Sequence, residues 1–178
     1  MGFPLYGALG TIYRGWAKTR TGDIAEGLSL LRSGSSAYGA TGAETRISYH
    51  IALLSKASEI AGQFEEALSL SNDALQIANR IGERWFAAEL CRHKGQLALG
   101  QGQSETAEEF YSQALTTAIE QEAKLWELRA AVSLARLRGD HEHRREAHDR
   151  LAIVYRSFTE GFDTQDLKDA KALLDELS

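Results

Sequence analysis

Cysteine, proline and methionine each occur once in this chain of 178 residues, and each scarcity removes a class of structure. Cys91 has no second thiol to pair with, so a disulfide-stapled secreted scaffold is excluded and a reducing, cytoplasmic setting is expected. Beyond Pro4 no proline interrupts the chain, and since an interior proline costs a helix about 3 kcal/mol, long helices meet no obstacle. No apolar run approaches the roughly 20 residues that span a bilayer, and no charged start leads into an apolar signal region, so no membrane partner is expected. Positive charge is also short: 20 Lys and Arg stand against 25 Asp and Glu, a net charge of −5. No basic stripe of the kind that neutralises phosphates emerges, which argues against nucleic acid as a partner. Most of the acidity lies between residues 159 and 178, where six acids face two bases.

What is abundant is Ala, Leu, Glu, Arg and Gln, arranged with a fixed period. Gly27, Ala67, Ala107 and Ala147 lie forty residues apart, and twelve residues before each comes another small side chain, Gly15, Ser55, Gly95 and Ala135. Two small residues twelve apart, straddling a turn, let paired helices cross closely, which is the core logic of a tetratricopeptide repeat. The expected fold is all-α: a tetratricopeptide-like right-handed superhelix of four helix pairs, about forty residues each, plus a C-terminal capping helix. One domain over 1–178 is predicted, with repeats at about 3–41, 43–82, 83–121 and 123–159 and the capping helix at 163–177.

Along the chain, Leu5, Leu9, Ile12 and Trp16 give the first helix its apolar face, with Pro4 in the first turn, where proline is tolerated. Asp23, followed three residues later by Glu26, has the pattern of a helix cap and capping box. Gly42 and Gly82 occupy equivalent joints forty residues apart and are expected to close their repeats in the left-handed conformation. Helices are predicted from about Ala43 to Ala61, Phe64 to Ile81, Glu83 to Leu99, Ser104 to Glu120, Lys124 to Arg138 and Arg144 to Phe158. Ile119 is counted with the apolar face of its helix. In the last helix Leu167, Ala170, Leu174 and Leu177 share one side, and charged residues back them, as a cap over a terminal repeat requires.

Several stretches carry more than the repeat. Gly15-Trp16-Ala17, Ala40-Thr41-Gly42-Ala43-Glu44, Gly82-Glu83-Arg84-Trp85, Ala87-Ala88-Glu89-Leu90, Leu128-Arg129-Ala130-Ala131 and Ser133-Leu134-Ala135-Arg136-Leu137 are six of them. The most specific is Phe158-Thr159-Glu160-Gly161-Phe162-Asp163-Thr164, with Asp166-Leu167-Lys168 and Ala170-Lys171-Ala172-Leu173-Leu174 after it. Together they resemble the C-terminal repeat region of bacterial signalling proteins that join an adenylate/guanylate cyclase or DNA-binding domain to an AAA-type ATPase. The resemblance implies upstream domains of a larger parent chain as partners, with any nucleotide chemistry lying in those domains. Cys91-Arg92-His93-Lys94-Gly95 and Asp140-His141-Glu142-His143 depart from the family pattern without touching the fold.

Catalytic chemistry is not legible. Gly22 to Ser29 has phosphate-loop spacing, but Leu28 stands where the lysine is required, and a repeat turn explains the stretch better. No Gly-x-Ser-x-Gly elbow occurs, and Cys91 falls at a core-facing register position. No enzyme activity and no cofactor are therefore expected. His141, His143 and His148, with Asp140, Glu142 and Asp149, are the one cluster of metal-ligand types, and imidazole with carboxylate suits zinc or nickel. Their spacing fits no structural zinc pattern and a solvated turn accounts for them, so a metal-responsive regulatory domain is the alternative reading. His50 and His93, among apolar neighbours, are read as core or edge residues.

A ligand surface follows from the register. First helices of tetratricopeptide repeats line the concave face, and projection from the small-residue positions gives three rows. They are Trp16, Lys56, Gln96 and Arg136; Ile12, Ala52, Arg92 and Val132; and Leu9, Tyr49, Glu89 and Arg129. Ile12, Trp16, Tyr49, Lys56, Glu89, Arg92, Gln96, Arg129 and Arg136 are thus the candidate binding residues. Aromatic anchors beside four cations suit an acidic or C-terminal peptide. Ordinary internal pairs, such as Glu89 with Arg129, are the competing account. The function expected is a non-catalytic scaffold for protein or peptide interaction, or for effector sensing.

Overall fold

The computed structural model describes residues 3–139 and 143–178, and all regular structure among them is helical. In chain order the helices are α1 (Pro4–Arg20), α2 (Ile24–Ala40), α3 (Ile47–Ile60), α4 (Phe64–Ile81), α5 (Ala87–Gly100), α6 (Ser104–Glu120), α7 (Lys124–Leu137), α8 (Arg144–Arg156) and α9 (Gln165–Leu177). The chain forms two compact units, Met1–Phe86 and Ala87–Ser178.

The small-residue pairs act as predicted. A Cβ at Gly15 would lie 2.8 Å from the Leu31 nitrogen and 2.9 Å from the Gly27 oxygen, so α1 and α2 touch backbone to backbone there. In the next pair Ser55 takes the place of glycine and turns the contact into hydrogen bonds: its Oγ donates to the Ala67 carbonyl at 2.6 Å and lies 2.8 Å from Ser71 Oγ. In α5, a Cβ at Gly95 would meet the Tyr111 ring at 2.6 Å. These three pairs cross where the sequence removes bulk.

Turns follow the same period. Gly22, Gly62 and Gly102, inside successive helix pairs, have φ of 96°, 76° and 77°, and Gly42 and Gly82, between pairs, have φ of 75° and 74°. Glycine reaches this left-handed region without the Cβ clash that other residues meet. The position equivalent to Gly42 and Gly82 in the third repeat is Glu122, whose φ is nonetheless 52°.

Three expectations are corrected. α3 and α5 begin at Ile47 and Ala87, about four residues later than the sequence suggests. Arg46 sits in the left-handed region at φ 59°, and its N–H donates to the Glu83 carboxylate at 2.7 and 3.0 Å, so a side chain thirty-seven residues away sets where α3 starts. Asp23 stands at the N-cap of α2 without a side-chain capping bond, because Lys18 draws in both acids, Asp23 at 2.9 Å and Glu26 at 2.7 Å. Ile119 is 54% exposed rather than core.

In the first unit Ile12, Leu28, Leu31, Tyr38, Leu53 and Leu54 form the core. In the second, α9 lays Leu167, Leu173, Leu174 and Leu177 against Leu128, Leu151 and Val154. Arg144 ties the end of α9 down by donating to the carbonyls of Glu176 and Leu177. No described helix is long and apolar enough to cross a membrane.

Candidate functional site

In the first unit, α1 and α3 carry four of the sequence-derived binding residues. Ile12 is not one of the available ones: it is fully buried and packs against Gly34, because its turn of α1 faces α2 rather than open space. Trp16 is half-buried, and the Arg20 guanidinium lies 5.8 Å from its ring. Tyr49 is half-buried in an aromatic group, 5.4 Å from Trp85 and 5.1 Å from Phe86, ring to ring. Lys56 places its ammonium 5.9 Å from the Phe86 ring. Burial pushes the Tyr49 phenol above its usual pKa, so the group presents a neutral hydroxyl.

In the second unit α5, α7 and α9 gather the remaining five. Glu89 is 1% exposed, so it belongs to the interior and cannot serve as a surface contact. Its carboxylate accepts two hydrogen bonds from Arg92, at 2.8 and 2.9 Å, and Arg129 Nη1 lies 3.9 Å away. Burying a charge is costly unless it is paired, and one carboxylate between two guanidiniums meets that condition. Arg92 also reaches Gln96 at 3.4 Å and Ser133 at 3.5 Å, bridging α5 to α7. Arg129 makes a bidentate pair with Asp166 of α9 at 2.7 and 2.8 Å, which raises its pKa above the ordinary arginine value. Its guanidinium also lies 5.2 Å from the Trp126 ring.

Arg92, Arg129, Glu89 and Asp166 therefore form an internally balanced network, as the competing account anticipated for Glu89 and Arg129. Gln96 and Arg136 remain exposed on the same first-helix side. Asp166 is the member of this network that register reasoning missed. It lies outside the forty-residue repeat, and nothing in its spacing points to Arg129.

The histidine cluster is not assembled by the described residues. His141 lies outside them, with Asp140 and Glu142; His143 is exposed, and His148 Nδ1 is 3.1 Å from its neighbour Asp149. Among the described residues no group of three or more His, Cys, Asp and Glu is placed to hold a metal ion. Cys91 is buried, as expected for a small hydrophobe. His50 is 1% exposed, and neither ring nitrogen has a hydrogen-bond partner among the described residues. Tyr38 meets it edge-on at 4.7 Å, with Tyr13 and Tyr49 about it, and burial with the nearby Arg46 charge lowers its pKa.

No family model matches the chain and no curated protein is similar to it. Solved structures are similar. Kinesin light chain TPR-like repeats from Podosopora anserina align over 99% of this chain and 87% of theirs, with TM-score 0.75 and 17% identity. The fold is that of tetratricopeptide-like repeats. BtubC (BKLC) from P. vanneervenii aligns over 90% of this chain and 74% of its own, with TM-score 0.69 and 18% identity. A Signal Transduction ATPase with Numerous Domains, which has a tetratricopeptide repeat sensor and comes from Pyrococcus horikoshii, gives TM-score 0.79 at 16% identity. That match takes in 99% of this chain and 28% of the ATPase.

Proposed function

We propose that this tetratricopeptide-like chain is a non-catalytic interaction module of a bacterial cyclase- or ATPase-linked signalling protein, with further helix pairs docked on α1. The open face of α1 carries this reading. In α3 the phase Ile47, His50, Leu53 and Ala57 is packed inward, and Leu53 and Ala57 join Ile12, Leu28 and Leu31 in one core. The same phase of α1, forty residues earlier, is Gly7, Gly10, Tyr13 and Ala17; apart from Tyr13's edge contact with His50 it faces outward, with Phe3 and Tyr6 exposed beside it. Nothing among the described residues lies within 4 Å of where a Cβ would stand on Gly7 or Gly10, so a helix could approach there as closely as α2 approaches Gly15. Repeats stack because each buries a face that it cannot bury alone.

The alignment of this chain with 28% of an ATPase that has a tetratricopeptide repeat sensor is in line with this reading. Peptide recognition falls to the first-helix sides, at Trp16, Tyr49 and Lys56 in one unit and Gln96 and Arg136 in the other, where the Arg92–Glu89–Arg129–Asp166 network braces α5, α7 and α9 of that second unit. Hydrogen exchange of α1 amides tests the reading, in this chain and in the longer product of the same coding region. Slower exchange at residues 6–17 in the longer product is expected. Unchanged exchange there, or an in-frame stop codon directly ahead of the first residue, would sink it.

A further inference from the structure

A pocket of about 230 Å³ opens in the second unit between α6, α7 and α8, and neither Arg92 nor Arg129 lines it. Its floor is small and apolar, with Ala131 and Ala135 of α7 and Ala147 of α8, and Leu115 and Val154 form walls. The forty-residue register accounts for the opening. Arg150 stands where the first three repeats have Leu30, Leu70 and Phe110, each half-buried. Leu30 shows what such a side chain covers, since its Cβ lies 3.0 Å from where a Cβ on Gly15 would be. Arg150 is exposed instead, and Ala135, the counterpart of Gly15, lines the pocket.

Two further departures flank the opening. Ile153 is 70% exposed, where the other repeats place Ser33, Asp73 and Gln113. Ile119 is exposed where they place Gly39, Asn79 and Thr159. Large aliphatic residues therefore occupy two surface positions that the rest of the chain gives to small or polar ones, and both line this pocket. The two isoleucines thus meet on the lining of one apolar pocket instead of standing singly, as exposed apolar residues ordinarily do.

From this geometry we infer that the α6–α8 surface docks an amphipathic helix of a partner protein, which inserts one bulky apolar side chain into the pocket and sets an acidic residue beside Arg150. The pocket is smaller than the roughly 300 Å³ at which drug-sized ligand sites begin. A small molecule filling it would leave the exposed faces of both isoleucines in water, whereas a helix lying between α6 and α8 covers them, as in other helix-in-groove complexes. Charge points to the acid: Glu146 Oε1 is 3.3 Å from Arg150 and 3.8 Å from Arg138, and Arg138 also bonds Glu108 at 2.9 Å. Arg138 is thus answered by Glu108 as well as Glu146, and Glu127 on the lining is held by Lys124 at 3.2 Å, while Arg150, exposed at the mouth, meets Glu146 through Nε, which leaves its terminal donors for an incoming carboxylate.

The test is selection from a display library of helix-forming 20-residue peptides on the full chain, followed by binding to Ile153→Asp, Ile119→Asp and Arg150→Glu. Both isoleucines are exposed, so these variants should melt with the wild type, which circular dichroism checks. Enriched peptides should share a bulky apolar residue with an acid within one helical turn. Their affinity should fall at least tenfold in each isoleucine variant and several-fold in Arg150→Glu, and remain unchanged in Ser33→Asp, an exposed position of the first unit equivalent to Ile153. Methyl resonances of Leu115 and Ile153 should shift as wild-type chain is titrated, a readout that needs no variant. The inference is overturned if no peptide is enriched, if enriched peptides bind Ile153→Asp as well as wild type, or if those methyls do not move. Binding of decanoate to the pocket with no peptide enriched would likewise overturn it, in favour of a small acyl ligand.

Discussion

Alanine substitution at two glycines of the same helix should change stability in opposite directions. Gly10 and Gly15 both lie inside α1, where replacing glycine by alanine favours the helix by about 0.8–1 kcal/mol through reduced backbone freedom in the unfolded chain. At Gly10 a new Cβ meets nothing within 4 Å among the described residues, so the full gain should appear and Gly10→Ala should be more stable by about 0.5–1 kcal/mol. At Gly15 the Cβ would stand 2.8 Å from the Leu31 nitrogen, 2.9 Å from the Gly27 oxygen and 3.0 Å from Leu30 Cβ. Two of those three atoms are backbone and cannot rotate aside, while carbon contacts settle at about 3.5–4.0 Å. The α1 and α2 axes must therefore part, and overpacking of this kind costs about 1–3 kcal/mol. After the propensity gain, Gly15→Ala should be less stable than wild type by about 1–2 kcal/mol. For a chain of this size the two variants should differ in melting temperature by about 4–10 °C. Urea titration followed by circular dichroism and by tryptophan fluorescence, to which Trp16 next to Gly15 contributes, measures both. A Gly15→Ala protein as stable as wild type would refute the close-crossing account of the small-residue period.

Glu122→Gly should raise stability by about 1 kcal/mol, since residue 122 holds the left-handed conformation that Gly42 and Gly82 adopt at equivalent joints; calorimetric melting checks it. Arg92→Glu should destabilise the second unit by about 3 kcal/mol or more, because it sets a second carboxylate against buried Glu89; an unchanged urea midpoint would remove the network from the account. Acid should weaken the first unit through His50. Its pKa is lowered in the fold, so below about pH 6.5 the unfolded chain binds the proton more readily and stability declines as pH falls. The groups around it, Tyr13, Tyr38, Tyr49 and Arg46, include no acid to hold an imidazolium. His50→Phe should flatten that pH dependence between about pH 7 and 5, and an equal slope in both proteins would count against it.

The all-helical fold and the places where paired helices cross were legible from the residues because both depend on what is locally absent. Where Gly15, Gly27 and Gly95 lack a Cβ, backbone can approach, and the forty-residue spacing repeats that condition whatever surrounds it. Glycines at 22, 42, 62, 82 and 102 marked turns for the same local reason. Contacts between distant parts of the chain were decided by tertiary structure alone. Glu83 sets the start of α3 from thirty-seven residues away, and Asp166 reaches Arg129 across the same separation. Register could place Arg92 and Arg129 on one side of their helices, but not show that a buried Glu89 and an acid on α9 already hold them. The exposure of Ile119 and Ile153 likewise depends on how far apart α6 and α8 come to rest on α7, a distance that periodicity does not encode because it is set by the side chains of three helices together.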